Sequence, residues 1–288
     1  MTKTNQQKVK DFLINNGVII VMFILVIYTG FTSDNFFTKN NFMNILMNMS
    51  SRLVIALGIA GCVITAGCDL SAGRMIGFGA CISGMLLQRM DYSGKFFPDM
   101  QPLNVFVVAL IAMLVCAAFG TVTGFFIAYL NVPPFIATLA MMEIVYGIGL
   151  IVTNATPLGG YVEQYTNVSN GKFLGINYLI WIAIIVAAIT WFIFNMTRHG
   201  KYMYAIGGNP QAAEVAGVPV KATLILIYMK AAAMYGLAGF MLGAKAGGAS
   251  VQTGYGYEME AIAACTIGGV SVTGGACIEE ARFEGSTL

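Results

Sequence analysis

The sequence predicts an all-α protein, a polytopic bundle of membrane helices with about eight spans. Apolar residues make up 58% of the 288-residue chain and charged residues only 10%, against about 25% charged in an ordinary soluble domain. No water-soluble surface can be built from so few charges. Apolar stretches of about 15 to 25 residues recur along the whole chain, the length that crosses a bilayer. The ten-residue alternation of a transmembrane barrel is absent, and only helices and closed barrels satisfy their backbone in lipid.

The apolar segments fall at about 17–31, 52–67, 75–90, 103–129, 134–153, 178–195, 222–243 and 259–275. Lys3, Lys8 and Lys10 precede the first, as in a secretory signal. Its apolar run from Val18 to Tyr28 leads into Thr29-Gly30-Phe31-Thr32 without a small-x-small cleavage site, so an uncleaved span is expected. If the segments alternate, the basic N-terminal tail and the loop carrying Arg198, Lys201 and Lys221 share one side. The positive-inside rule makes that side the cytoplasm, although Arg89 and Lys95 on the other side weaken the bias.

Glycines four apart recur at Gly73 and Gly77, at Gly120 and Gly124, and at Gly239, Gly243 and Gly247. In lipid such faces let helix backbones approach closely. The six cysteines lie mostly in apolar segments, with no C-x-x-C pair, and read as small packing residues, neither disulfides nor zinc ligands. A net charge of +2 and the lack of a basic patch interleaved with aromatics exclude nucleic acid as a partner.

Two apolar segments end in glycine-rich breaks, Thr65-Ala66-Gly67-Cys68-Asp69-Leu70-Ser71-Ala72-Gly73 and Thr266-Ile267-Gly268-Gly269-Val270-Ser271-Val272-Thr273-Gly274-Gly275. They read as weak copies of one another in two halves of the chain. Interrupted helices at matching places point to a transport path, because freed backbone groups are tolerated only where protein or a water-filled cavity meets them. Asp69 and Arg74 bracket the first break and are expected to hold its polar backbone.

The polar stretch after the sixth segment specifies a helix of about seven residues. Asn209 is its cap, Pro210 its first position and Gly217 its left-handed stop. A short, rigid, exposed helix is what a soluble partner needs to push against; a plain connector is the other reading.

Ala212-Ala213 followed by Gly217 resembles the Glu-Ala-Ala-x-x-x-Gly coupling loop of ATP-binding cassette (ABC) importer permeases, with Gln211 where the glutamate usually stands and Glu214 inside the loop. Asp69-Leu70-Ser71-Ala72-Gly73-Arg74, the run Ile127 to Ile136, Thr197-Arg198-His199-Gly200 and Tyr257-Glu258-Met259-Glu260-Ala261-Ile262-Ala263-Ala264 extend the match. Over about 17–275 the chain resembles the ribose, arabinose and galactose importer permeases. Leu86 to Asp91 and Phe97 to Met100 look most like the galactose and methyl-galactoside branch. The resemblance implies about ten spans in an intact relative. It assigns 1–275 to an incomplete permease domain and 276–288 to an aberrant polar tail, as after a frameshift or premature stop.

The resemblance also implies a homodimer, a cytoplasmic ABC ATPase subunit, an extracytoplasmic sugar-binding protein and residence in the bacterial inner membrane. With no G-x-x-x-x-G-K-[ST] loop here, ATP and magnesium are expected to be handled by the ATPase subunit. The chain itself is expected to do no covalent chemistry. Coupling is placed at Asn209, Pro210, Gln211, Ala212, Ala213, Glu214 and Gly217. The path or its helix breaks are placed at Asp69, Leu70, Ser71, Gly73, Arg74, Gly268, Gly269 and Ser271.

Glu143 and Lys230 are charges inside apolar segments and stand at equal depth, about 13 Å at a rise of ~1.5 Å per residue. Equal depth permits a buried ion pair, or both residues line the path; independent pore-facing or snorkelling side chains are the other reading. His199 is expected to be a solvated loop residue, and Tyr161, Glu163, Gln164 and Tyr165 to lie in an outer loop open to the binding protein. An ion-coupled secondary transporter using Glu143 explains the spans and breaks but not the capped cytoplasmic helix. An intramembrane enzyme lacks a nucleophile and base pair or a His/Glu metal set at helical spacing.

Overall fold

The computed structural model describes residues 17–33, 35–271 and 274. The basic N-terminal tail, the last residues of the eighth segment and the tail 276–288 lie outside them. The helices are α1 (Gly17–Thr32), α2 (Lys39–Ile64), α3 (Ala72–Leu86), α4 (Val105–Leu130), α5 (Pro134–Val152) and α6 (Glu163–Asn170). They continue with α7 (Tyr178–Met196), α8 (Arg198–Gly208), α9 (Pro210–Val215), α10 (Val220–Ala246) and α11 (Tyr257–Ile267). A two-stranded antiparallel hairpin, β1 (Lys172–Phe173) and β2 (Ile176–Asn177), precedes α7.

Every predicted apolar segment contains a helix. Five helices, α2, α4, α5, α7 and α10, are long and apolar enough to cross a membrane, while α3 and the apolar part of α1 are shorter. Two boundaries differ from expectation. Helix α2 begins at Lys39, well ahead of residue 52, because Asn40, Asn41, Asn44 and Asn48 lower the hydropathy without breaking the helical period. Helix α11 stops at Ile267 because Gly269 takes a left-handed backbone with φ of 95°.

The described residues fall into two compact units, divided between Leu46 and Met47. In the first, the hydroxyls of Thr29 and Thr32 bond back to helix carbonyls one turn earlier. Phe36 packs edge-on against Phe37. Val21 through Tyr28 are 46–64% exposed, the surface of a helix that faces lipid on most sides.

In the second unit α10 is the central post, packed along α4 and α3. Close approach is set by glycine. A methyl group built on Gly236 would stand 2.5 Å from the Ala112 carbonyl, one on Gly124 2.7 Å from the Ile225 Cα, and one on Gly79 2.9 Å from the Gly236 Cα. Gly239 sits on the Ile76 carbonyl and Gly120 on that of Tyr228. Gly247 differs from its spaced partners: its φ of 65° caps α10 and it packs against nothing. Because lipid is as apolar as any side chain, this contact between backbones is what holds the bundle together.

Helix α3 is buried almost all round. Its 15 residues span about 22 Å at ~1.5 Å each, less than the ~30 Å hydrocarbon core. At its C-terminal end the chain folds over the bundle. Arg89 donates its amide to the Gly160 carbonyl and Val162 to that of Leu87. Residues 249–256 then run back along α3. Ala249 pairs with Leu158, while a methyl on Gly77 would meet the Val251 and Thr253 carbonyls at 2.8 Å and one on Gly73 the Gly254 carbonyl at 2.9 Å. This irregular strand descends beside α3 to the level of the first break.

Gly239→Val is expected to lower the detergent-extractable folded fraction at least ~5-fold, the effect of an overpacked contact costing about 1–3 kcal/mol. Gly147→Val, at a position with nothing within 4 Å, is expected to stay within about twofold of the parent. Size-exclusion chromatography of a fluorescent fusion measures both.

Candidate functional site

The site is assembled around the first helix break. The amides of Thr65 and Gly67 turn back to the Cys62 carbonyl at 3.2 and 2.9 Å, and Ala66 adopts a left-handed backbone with φ of 56°. Gly67 leaves room for the Tyr228 hydroxyl, which a Cβ there would meet at 2.5 Å. Thr138 of α5 donates to the Cys68 carbonyl at 3.2 Å.

Asp69, 2% exposed, anchors the turn. Its Oδ1 accepts from the Ser71 amide at 3.0 Å and the Ser71 hydroxyl at 2.6 Å, and its Oδ2 accepts from the Tyr235 hydroxyl at 3.1 Å. Tyr235 lies near the middle of the 27-residue α10, so this carboxylate stands at mid-height in the bundle. Leu70 and Ser71 are buried beside it. Asp69 thus ties the turn at Ser71 to Tyr235 of α10.

The second break follows α11. The amides of Gly268, Gly269 and Val270 return to the carbonyls of Ala264, Thr266 and Cys265 at 2.9–3.1 Å, and Ser271 is partly exposed. A methyl on Gly274 would stand 2.9 Å from the Ala66 Cβ and 2.8 Å from the Gly207 carbonyl. The two breaks therefore meet.

Arg74, on the first turn of α3, points away from Asp69. Its guanidinium carbon lies 3.9 Å from the Tyr146 ring centroid and 4.4 Å from that of Tyr255. One terminal nitrogen donates to the Gln252 side-chain carbonyl at 2.8 Å and the Val251 carbonyl at 3.4 Å, and Gln252 donates to the Tyr146 hydroxyl at 3.1 Å. Cation–π contacts of this kind reach about 2 kcal/mol when desolvated. Glu258, 7% exposed, presses on Gly73 and forms no ion pair among the described residues.

The short polar helix is built as its sequence dictates. Asn209 Oδ1 accepts from the Ala212 amide at 3.0 Å, Pro210 occupies the first turn, and Gly217 takes φ of 85°. Only Ala213 is buried; Gln211, Ala212 and Glu214 are exposed and Val215 is 91% exposed. The four residues Ala216 to Pro219 connect this helix to α10.

The proposed pairing of Glu143 with Lys230 is not found. Glu143 is exposed on α5, which packs on α3 and α4, whereas Lys230 lies on α10 in a crevice with Thr190, Phe194 and His199. Equal depth fixed their height but not their azimuth. His199 is a second correction. It belongs to α8 rather than a solvated loop, its Nε2 is buried without a hydrogen-bond partner among the described residues, and burial, then the nearby Lys230 charge, lowers its pKa to about 4. A third concerns the outer loop. Tyr161 and Tyr165 are buried, with the Tyr165 hydroxyl donating to the Phe240 carbonyl at 2.7 Å, while Glu163 and Gln164 remain exposed.

Tyr235, Tyr146, Gln252 and Tyr255 are missed by sequence reasoning because they meet Asp69 and Arg74 across long stretches of chain and carry no local signature. A signal for Glu258 was present, a carboxylate opening an apolar segment. Asp69→Ala strands the Tyr235 and Ser71 hydroxyls, and thermal unfolding in detergent is expected to show a loss of about 3 kcal/mol. Asp69→Asn, which keeps acceptors, is expected to lose less than half as much.

The family whose description reads branched-chain amino acid transport system, permease component, matches residues 41–278. The galactose/methyl galactoside import permease protein MglC of Escherichia coli K12 is 39% identical over 282 residues, covering 96% of this chain and 84% of that protein. Its Haemophilus influenzae counterpart is 41% identical over the same shares. The ribose import permease protein RbsC of E. coli K12 is 32% identical over 92% of this chain and 80% of its own length. No solved structure matches. A family match that takes in both breaks, the central post and the capped helix leaves one assignment: this chain belongs to that family of membrane transport permease components.

Proposed function

We propose that the chain is the membrane-spanning subunit of an ATP-binding cassette importer and forms the path for a monosaccharide, galactose or a methyl-galactoside. The sugar permeases among its relatives support the substrate class. The observation that carries the mechanism is the capped helix α9, rigid, exposed and joined through Pro219 to α10. A force on α9 reaches Tyr235 through one continuous helix, and Tyr235 holds the Asp69 break. ATP-driven closure of a partner ATPase is thereby turned into movement at the two breaks, as alternating access requires.

In this reading the α9 face and the N-terminus are cytoplasmic, and two copies of the chain flank the path. A cytoplasmic ATPase subunit docks on Asn209 to Gly217, and an extracytoplasmic sugar-binding protein delivers the sugar at the opposite end. Exposed Glu163 and Gln164 lie at that end. An ion-coupled transporter gains nothing from α9, and Glu143 is exposed and forms no ion pair among the described residues.

With a cysteine in place of Val215, oxidation is expected to join the chain to the ATPase subunit. Val215→Asp is expected to reduce ATP-dependent sugar uptake about tenfold at unchanged membrane abundance. Labelling of position 215 by an impermeant reagent from outside the cell would remove the case for coupling through α9.

A further inference from the structure

The cage around Arg74 has a chemistry of its own. Three separate elements contribute to it: α3 supplies Arg74, α5 supplies Tyr146, and the irregular strand supplies Gln252 and Tyr255. Tyr255 is 60% exposed and Gln252 is exposed beside it. An arginine, an amide and non-helical backbone alongside the short α3 cannot face hydrocarbon, so this side of the bundle faces water or protein.

Two polar atoms at this seam are unmet. Among the described residues, Arg74 Nε in the cage and Oε2 of Glu258, which lies against the neighbouring Gly73, are both buried and without hydrogen-bond partners. The two side chains do not pair with each other, so a donor and an acceptor remain for a third group. One positive and one negative charge leave the seam balanced, which suits a neutral ligand better than an anion or a cation. A flat guanidinium between two aromatic faces also fills the shape that a pyranose ring fills. The C–H face of such a ring stacks on tyrosine, while its rim of hydroxyls donates to a carboxylate and accepts from an N–H.

We propose that Arg74, Tyr146 and Tyr255 form the constriction of the path, with the guanidinium as a displaceable plug and the tyrosine faces as the surface on which the passing sugar stacks. Glu258 and Gln252 take its hydroxyls once Arg74 has moved. This rests on the reading of the chain as a sugar permease and adds to it the residues that touch the substrate and hold the closed state.

The test uses the whole importer, this chain with its ATPase subunit and sugar-binding protein, in proteoliposomes. Radiolabelled D-galactose uptake and binding-protein-stimulated ATP hydrolysis are measured separately. Tyr255→Leu is expected to lower uptake at least tenfold with stimulated hydrolysis kept within twofold, whereas Tyr255→Phe, which retains the face, keeps both. Arg74→Gln is expected to raise the ATP-independent galactose leak at least threefold. Leucine and phenylalanine variants that behave alike, hydrolysis that falls in step with uptake, or a leak unchanged in Arg74→Gln would overturn the constriction. A parent complex that hydrolyses ATP but moves neither galactose nor ribose would overturn the sugar reading itself.

Discussion

Backbone that leaves the helix inside hydrocarbon loses its hydrogen bonds and must recover them from other protein groups, and much of this structure follows from that requirement at residues 65–71. The lost partners are replaced by the Cys62 carbonyl, by Thr138 from α5 and by the Asp69 carboxylate, itself held by Tyr235 of α10. A break met in this way ties three helices to one point near mid-height. The short α3 is its consequence: a helix that starts inside the membrane need not be long enough to cross it.

Glycine makes the arrangement reachable. The strand 251–256 lies against α3 only because Gly73 and Gly77 carry no side chain, and α10 closes on α3 and α4 through Gly79, Gly236, Gly239, Gly120 and Gly124. These contacts bring the second break against the first at Gly274 and Ala66. They also leave Arg74 within a tyrosine cage on the face where polar groups gather. The same post is joined to the capped helix α9 by the short turn Ala216 to Pro219, so the surface that meets the ATPase in the proposed importer and the break that lines its path are linked through a few residues of chain.

Much of this was legible in the residues. Apolar length located a helix in each apolar segment but not α6 or α8, the glycine spacings located the contacts at Gly73, Gly77, Gly120, Gly124, Gly239 and Gly243 but not those at Gly79 and Gly236, and Asn209, Pro210 and Gly217 specified α9 to its caps. What hydropathy could not reach was azimuth and pairing. Glu143 and Lys230 stand at equal depth on helices that do not pack together, and a residue count measures only height. Tyr161 and Tyr165 read as loop residues, yet both rings are buried: Tyr165 turns inward from a short amphipathic helix whose Glu163 and Gln164 turn out, and Tyr161 is held ahead of it by pairing with Gln88. The Arg74 cage and the Tyr235 tether join parts of the chain too distant for any local pattern to register.

The central claim is that the side of the bundle bearing the irregular strand is wet. Single cysteines at positions 252 and 255, and at the apolar, exposed positions 185 and 189 of α7, can be labelled in lipid nanodiscs with a charged, membrane-impermeant maleimide. Labelling at 252 and 255 at least ~10-fold faster than at 185 and 189 is the expected result, since a charged reagent reaches thiols only through water. Equal, slow labelling at all four positions would place the strand against lipid and contradict the path.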